Sequence, residues 1–227
     1  MKIAVIIAGT NEKSNCDVLA QAFMDGISAV SNDNIDSISR IRLKDLKINH
    51  FSLEDYDVDH SDEEDFSAVR KKIEEADGIV FASPVWNFAV PAHLKNLIDR
   101  MGEFALDETK SKGILNGKPF YLIFTGGAPY AAWKGLMSKT TSFVPEGIKY
   151  FGGSVIGSHF EGRCTLGKGK FGLVVDKREG SLRSLREQGT RFGLVVQEYS
   201  KTGKLPAKHA LLKRIYAVGQ GVMKKWT

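Results

Sequence analysis

The sequence predicts a three-layer α/β domain: a five-stranded parallel sheet between helices, joined by right-handed crossovers, with a helical extension at the C-terminal end. Three observations predict it. Short aliphatic runs recur along the first two-thirds of the chain, the pattern of parallel strands buried on both faces. Stretches with apolar residues at helical spacing separate them, and such alternation builds a sheet covered on both sides. The chain, at 227 residues, has the length of one large domain, and neither an internal repeat nor a second domain boundary interrupts it.

Residues 2–8 form a near-continuous aliphatic run and read as the first strand. Val18, Leu19, Ala22, Phe23, Ile27 and Val30 then recur at helical spacing, which predicts a helix over 14–30. Residues 35–43 alternate imperfectly through Ile35, Ile38, Ile41 and Leu43, a second strand. The acidic stretch 54–65 reads as a solvated surface turn. Val69, Ile73 and Ala76 mark a short helix over 66–76, and 77–83 is the third strand. Pro91 stands at the first position of the next helix, where a missing N–H is tolerated. Leu94, Leu97, Ile98 and Met101 form that helix's apolar stripe. Gly117-Lys118-Pro119 introduces a fourth strand over 120–124. Residues 131–150 are mostly helical with an interruption at Pro145, and 154–159 make the fifth strand.

Within a single domain over 1–227, residues 1–160 hold the core strands and helices. Residues 161–203 carry a basic, Gly/Lys-rich excursion and a last core helix over 178–199. Residues 204–227 are a terminal amphipathic helix. Its Leu211, Leu212, Ile215, Tyr216, Val218, Val222 and Met223 are expected to cover the core or a neighbouring subunit.

Composition narrows the function classes. A hydrophobic fraction of 42% and a charged fraction of 26% are those of a globular protein and exclude wholesale disorder and fibrous repeats. Cys16 and Cys164 are the only cysteines. Two cysteines cannot make a disulfide framework, a four-cysteine zinc site or an all-cysteine iron–sulfur cluster. No apolar stretch approaches the ~20 residues of a bilayer span. The apolar start is too short for a secretory signal. We therefore expect no membrane span and a cytoplasmic protein. The formal charge is +5, yet residues 160–227 hold 15 Lys or Arg against 5 Asp or Glu. Those charges are dispersed through apolar periodic segments, which argues against nucleic acid as the partner and leaves the rim of a phosphorylated cofactor site.

In an open parallel sheet ligands bind beyond the carboxyl ends of the strands. After the first strand comes Gly9-Thr10-Asn11-Glu12-Lys13-Ser14-Asn15-Cys16, opening a helix. Small polar side chains at a helix N-terminus suit an anion; an ordinary N-cap by Ser14 or Asn15 explains them as well. After the third strand, Pro84, Val85, Trp86, Asn87 and Phe88 present aromatic rings on an exposed loop. They fit either a flat apolar ligand or a subunit interface. After the fourth strand, Thr125-Gly126-Gly127 lets backbone approach a ligand closely, and Tyr130 is placed to cover it. A phosphate-type loop, an aromatic loop and a Gly-Gly loop on three strand ends together point to a planar phosphorylated cofactor.

The stretch Ser83-Pro84-Val85-Trp86-Asn87-Phe88-Ala89-Val90-Pro91, continuing to Leu94-Lys95-Asn96 and Asp99-Arg100, resembles the signature of the NAD(P)H-dependent FMN reductase and quinone reductase family. The segment from Gly9 to Ala20 is similar to that family's FMN-phosphate loop, and the resemblance covers about residues 1–160. It implies a flavodoxin-like fold with strand order 2-1-3-4-5, FMN as cofactor and NAD(P)H as co-substrate. It also implies a small-molecule electron acceptor (a quinone, flavin, azo or nitro compound), ping-pong kinetics, and a homodimer or homotetramer. On the same grounds Thr10, Ser14, Asn15 and Cys16 would hold the FMN phosphate. Residues 84–88 would edge the flavin ring through backbone amides, and 125–127 would flank its other side. The loop departs from the family pattern in being about one residue shorter, with Glu12 where a basic residue is common and Cys16 in place of a hydroxyl. The alternative of another class is a flavodoxin-like electron carrier that binds no nicotinamide. The basic composition argues against it.

Other signals carry less. Gly167 to Gly172 matches G-x-G-x-x-G, but it follows no clear strand and reads as a mobile loop or hairpin. Arg163, Lys168 and Lys170 within it suggest, by charge alone, contacts to the phosphates of NAD(P)H. His50, His60, His93, His159 and His209 show no metal-ligand spacing. Lys95 and Asp99 read as a helix-surface ion pair as readily as a catalytic part. No side-chain acid, base or nucleophile is predicted, and no metal site.

Overall fold

The inner strands of the central sheet are pressed between two apolar layers, and their alternate residues serve one layer each. In the computed structural model, which describes residues 1–30, 35–57, 62–168 and 170–206, five strands are all parallel: β1 (Lys2–Ile7), β2 (Ser37–Arg42), β3 (Gly78–Pro84), β4 (Pro119–Thr125) and β5 (Ser154–Glu161). Their order is β2-β1-β3-β4-β5, as the family resemblance implied. On one side Ile3, Val5 and Ile7 of β1 join Val80, Ala82 and Ile123 beneath helices α1 (Asn15–Ser28) and α7 (Glu179–Thr202). On the other, Ala4, Ile6, Ile79, Phe81, Phe120 and Leu122 meet α2 (Glu64–Glu75), α3 (Ala92–Arg100), the short α4 (Gly102–Ala105) and α6 (Phe143–Tyr150). α5 is a single turn, Tyr130–Ala132. β3 and β4 are buried along their whole length, which their unbroken apolar runs foretold.

Local chemistry explains the boundaries. Ser14 caps α1, its hydroxyl accepting from the Asp17 amide at 3.1 Å while the Asp17 carboxylate accepts from the Ser14 amide at 3.1 Å, a capping box. Pro91 is the N-cap of α3 and not its first residue. Its extended ψ of 147° keeps it outside the helix, and its carbonyl receives the amides of Leu94 and Lys95. The break expected at Pro145 lies earlier, in a π turn (Trp133–Met137) and a 3-10 turn (Ser138–Thr141). Pro145 itself sits in the first turn of α6, where backbone N–H groups have no helical acceptor.

Lys118 is buried, and its ammonium donates to the carbonyls of Ile73 (2.7 Å) and Glu74 (2.8 Å), closing the C-terminal end of α2. From residue 207 the expected terminal helix lies outside the described residues, as do His60, His209 and part of the acidic stretch. No helix among the described residues is long and apolar enough to cross a membrane.

Candidate functional site

The strand order reverses between β1 and β3, and a cleft opens there at the carboxyl ends of the strands. Among the described residues four segments line it. The β1–α1 loop gives Gly9, Thr10, Asn11, Ser14, Asn15 and Cys16; the end of β3 gives Pro84, Val85 and Trp86; the end of β4 gives Thr125, Gly126 and Gly127. The fourth, from the excursion after β5, gives Cys164, Phe171 and Gly172.

The β1–α1 loop is polarised. Arg42 donates to the carbonyls of Glu12 and Asn11, so acceptors of the loop are occupied. Among the described residues the amides of Thr10, Asn11, Glu12 and Lys13 donate to no backbone or side-chain acceptor. Free donors beside a helix N-terminus make an anion cradle. The side chains expected to help are employed otherwise. The Ser14 hydroxyl is committed to its capping box. Asn15 reaches across to the excursion, donating through Nδ2 to Gly172 O at 2.9 Å and accepting the amides of Val174 (3.0 Å) and Val175 (3.2 Å) at Oδ1. Of the predicted phosphate ligands, Thr10 alone keeps an exposed, uncommitted side chain.

After β3, Trp86 and Ala89 exchange backbone hydrogen bonds of 2.8 and 2.9 Å around Asn87 and Phe88, whose φ angles are 48° and 67°. Two left-handed residues in a row make a type I′ turn. The Val85 amide donates to Thr125 O at 2.7 Å, stitching this loop to the next strand end. The amides of Val85 and Trp86 are therefore used, and those of Asn87 and Phe88 are the ones free to meet a ligand. Trp86 lines the cleft with 43% of its surface exposed. Asn87, Phe88 and Tyr130 stand outside the lining; Tyr130 faces Trp133 at 6.2 Å between ring centroids.

The wall after β4 is braced by the excursion. Gly126 donates to Glu161 O at 3.0 Å and accepts from the Cys164 amide at 2.9 Å. A Cβ on Gly126 would stand 3.0 Å from the ring of Phe160, so a larger residue would push this turn out of place. Arg178 holds the excursion's start, bonding Glu161 Oε1 (2.6 Å), Gly162 O (2.7 Å) and Arg163 O (2.7 Å). Burial works to raise the Glu161 carboxyl, but hydrogen bonds from His159, Arg178 and Ser181 outweigh it and hold the carboxyl below its ordinary value.

Among the described residues no Asp, Glu, Lys, Arg, His or Tyr side chain lines the cleft. The titratable groups of that lining are two thiols. Burial pushes Cys16 up to about 12, against a lowering contact with Thr125 Oγ1 at 3.4 Å. Burial likewise pushes Cys164 up to about 11. Both are neutral at physiological pH.

Residues 1–144 match the family described as NADPH-dependent FMN reductase. The chain belongs to this family. Among curated relatives it is 43% identical over 58 residues to an FMN-dependent NADH:quinone oxidoreductase of Shewanella sp. (strain W3-18-1), covering 24% of this chain and 29% of that one. It is 36% identical over 75 residues to a quinone reductase of Escherichia coli (strain K12), covering 27% of this chain and 40% of that one. The chain thus spans well under half the length of these relatives. A solved NAD(P)H:quinone oxidoreductase from Methanothermobacter marburgensis superposes with a TM-score of 0.64 at 21% identity, over 84% of this chain and 96% of that one. An FMN-dependent NADH-azoreductase from Bacillus anthracis str. Ames Ancestor, solved in complex with FMN, gives 0.62 at 16% identity, over 85% and 100%. At such identities these structures show a shared fold.

In this FMN reductase-family chain, the matched region contributes three of the four cleft segments. Cys164, Phe171 and Gly172 lie beyond residue 144 and were not among the sequence-predicted site residues. The local signals there, the glycine pattern and the charges of Arg163, Lys168 and Lys170, do not single out these three residues. Only the return of the excursion to the rim, fixed by Asn15 and Gly126, brings them there.

Proposed function

We propose that the cleft binds FMN and that the protein passes hydride from NAD(P)H to a quinone, flavin, azo or nitro acceptor. The observation that carries this reading is the composition of the lining. Among the described residues an amide cradle, an aromatic wall and a glycine wall surround a space with no side-chain acid or base beyond two neutral thiols. Such a site binds and orients; the reactive chemistry must arrive with a ligand.

The residues fit FMN. The amides of residues 10–13, with the Thr10 hydroxyl, offer donors to its phosphate beside the positive end of α1. Thr125–Gly127 and Pro84–Trp86 would flank its ring. The amides of Asn87 and Phe88, unbonded among the described residues, lie outside that lining and would meet only a ring edge that projects past Trp86. FMN, when bound, supplies the two-electron redox chemistry. The chain's part is to hold the ring, keep water from one side of it, and leave Trp86 and the opening for donor and acceptor in turn, which gives ping-pong kinetics. The proposal includes a homodimer or homotetramer, read out by light scattering, and a cytoplasmic location.

The test is spectroscopic. Purified protein supplemented with FMN is mixed anaerobically with NADH or NADPH, and a quinone is then added. Bleaching of the flavin band followed by its return supports the reading. A flavin-loaded protein whose colour neither nucleotide changes, or a protein that takes up no FMN, removes it.

A further inference from the structure

The excursion after β5 is the part of the cleft that the family match does not reach. It is built as a hairpin. Leu166 donates to Lys170 O at 2.8 Å and Lys170 to Gly167 O at 3.1 Å, while Leu166 packs so closely on Gly172 that a Cβ there would stand 2.4 Å from its side chain. Both legs are tied to cleft elements. Cys164 bonds the Gly-Gly turn after β4, and the Asn15 side chain bonds Gly172, Val174 and Val175 from the first turn of α1.

What the hairpin presents is distinctive. Phe171 lines the cleft and yet leaves 79% of its surface in solvent. Beside it Lys168 and Lys170 are both exposed, and among the described residues neither has a carboxylate partner. Glu161 is already held by Arg178. An uncovered aromatic ring in the cleft lining, with two unneutralised cations on the same hairpin outside that lining, matches a ligand with a flat base and phosphates that extends out of the cleft.

We propose that this hairpin docks the phosphorylated adenosine end of the dinucleotide donor: Lys168 and Lys170 take its phosphate charge and Phe171 meets its base. This rests on the reading of the cleft as a site of NAD(P)H oxidation. The phosphate in question is either the bridging diphosphate, common to NADH and NADPH, or the 2′-phosphate of NADPH alone.

The experiment uses the full chain and a K168A/K170A variant. Both substitutions fall on exposed side chains, so folding and FMN affinity are expected to stay as in the parent, which flavin fluorescence quenching checks. Michaelis constants are measured with NADH and NADPH. Binding of ADP-ribose and its 2′-phosphate, fragments that cannot donate hydride, is measured by calorimetry. We expect the Michaelis constant and the matching fragment's dissociation constant to rise about tenfold, as for two partly exposed charge contacts. Loss for both nucleotides assigns the diphosphate, and loss for NADPH alone assigns the 2′-phosphate. Unchanged constants throughout, or a parent protein that binds neither fragment, overturn the proposal. A parent that binds the fragments but never reduces its flavin instead rejects the reductase reading and leaves the docking role supported.

Discussion

Cys16 and Cys164 stand in the wall of the cleft, and both are held as neutral thiols. Each is buried away from the water that would solvate a thiolate. Burial raises each far above neutrality despite polar contacts to Thr125 Oγ1 for Cys16 and to the carbonyls of Glu161 and Gly162 for Cys164. With Cys164 pushed up to about 11, roughly one thiolate in a thousand exists at pH 8. A thiol reagent at pH 8 should therefore modify neither cysteine in the folded protein and both after unfolding in denaturant. The reaction of the native protein should accelerate only as the pH climbs toward 11. Full modification of either thiol at pH 8 without unfolding would show that the wall opens. Asn15 makes a related point. Its position at the start of α1 suits an anion, but its amide satisfies three backbone groups of residues 172–175 at once. Buried backbone groups need partners, so Asn15 is a clasp between two cleft segments. Ser14 is settled the same way, by the capping box.

At the scale of elements, two close approaches position the rim. The first is α1 against α7. A Cβ on Gly26 would stand 1.9 Å from the Arg186 carbonyl oxygen, and one on Gly189 would stand 2.1 Å from that of Phe23. The two helices touch backbone to backbone, which holds the first turn of α1, and with it the amide cradle, in register with the sheet. Gly189→Ala should destabilise the protein by about 1–3 kcal/mol, since the helices must part to admit the methyl group. Gly180→Ala on the same helix meets nothing within 4 Å and should be neutral or stabilising by up to about 1 kcal/mol, the ordinary helix preference of alanine. Urea unfolding of both variants checks the contrast, and equal effects would mean the close packing is not what Gly189 provides.

The second approach is α3 against the segment before α2. Fully buried Arg100 bonds Asn49 O and Glu63, pairs with Glu103, and lies 3.9 Å from the Phe66 ring centroid. Asn96 bonds Phe51 N and Asn49 O. Both residues of the signature stretch therefore secure a connection, whereas Lys95 and Asp99 form an exposed ion pair.

For the molecule as a whole, the proposed ligand adds a further fastener between four chain segments already tied through Asn15, Val85 and Gly126. FMN that binds the folded chain alone should raise its unfolding free energy by about 2.7 kcal/mol at a hundredfold excess over the dissociation constant. Thermal denaturation with and without FMN measures this, and an unmoved midpoint sinks the assignment of the cleft. The proposed docking role would use part of the uneven charge: Lys168 and Lys170 of the hairpin belong to the basic excess of residues 160–227. By itself the sequence determined the layers and the rim. Short unbroken apolar runs alternating with amphipathic helices read as strands covered on both faces, and the loops after β1, β3 and β4 are brought together by any parallel sheet of this order. Tertiary structure alone decided which groups in those loops are free. A hydrogen-bonding side chain looks the same in sequence whether it faces a ligand or another loop. Only the folded chain, which must satisfy its own buried backbone first, committed Ser14 and Asn15 inward and delivered Phe171 to the cleft.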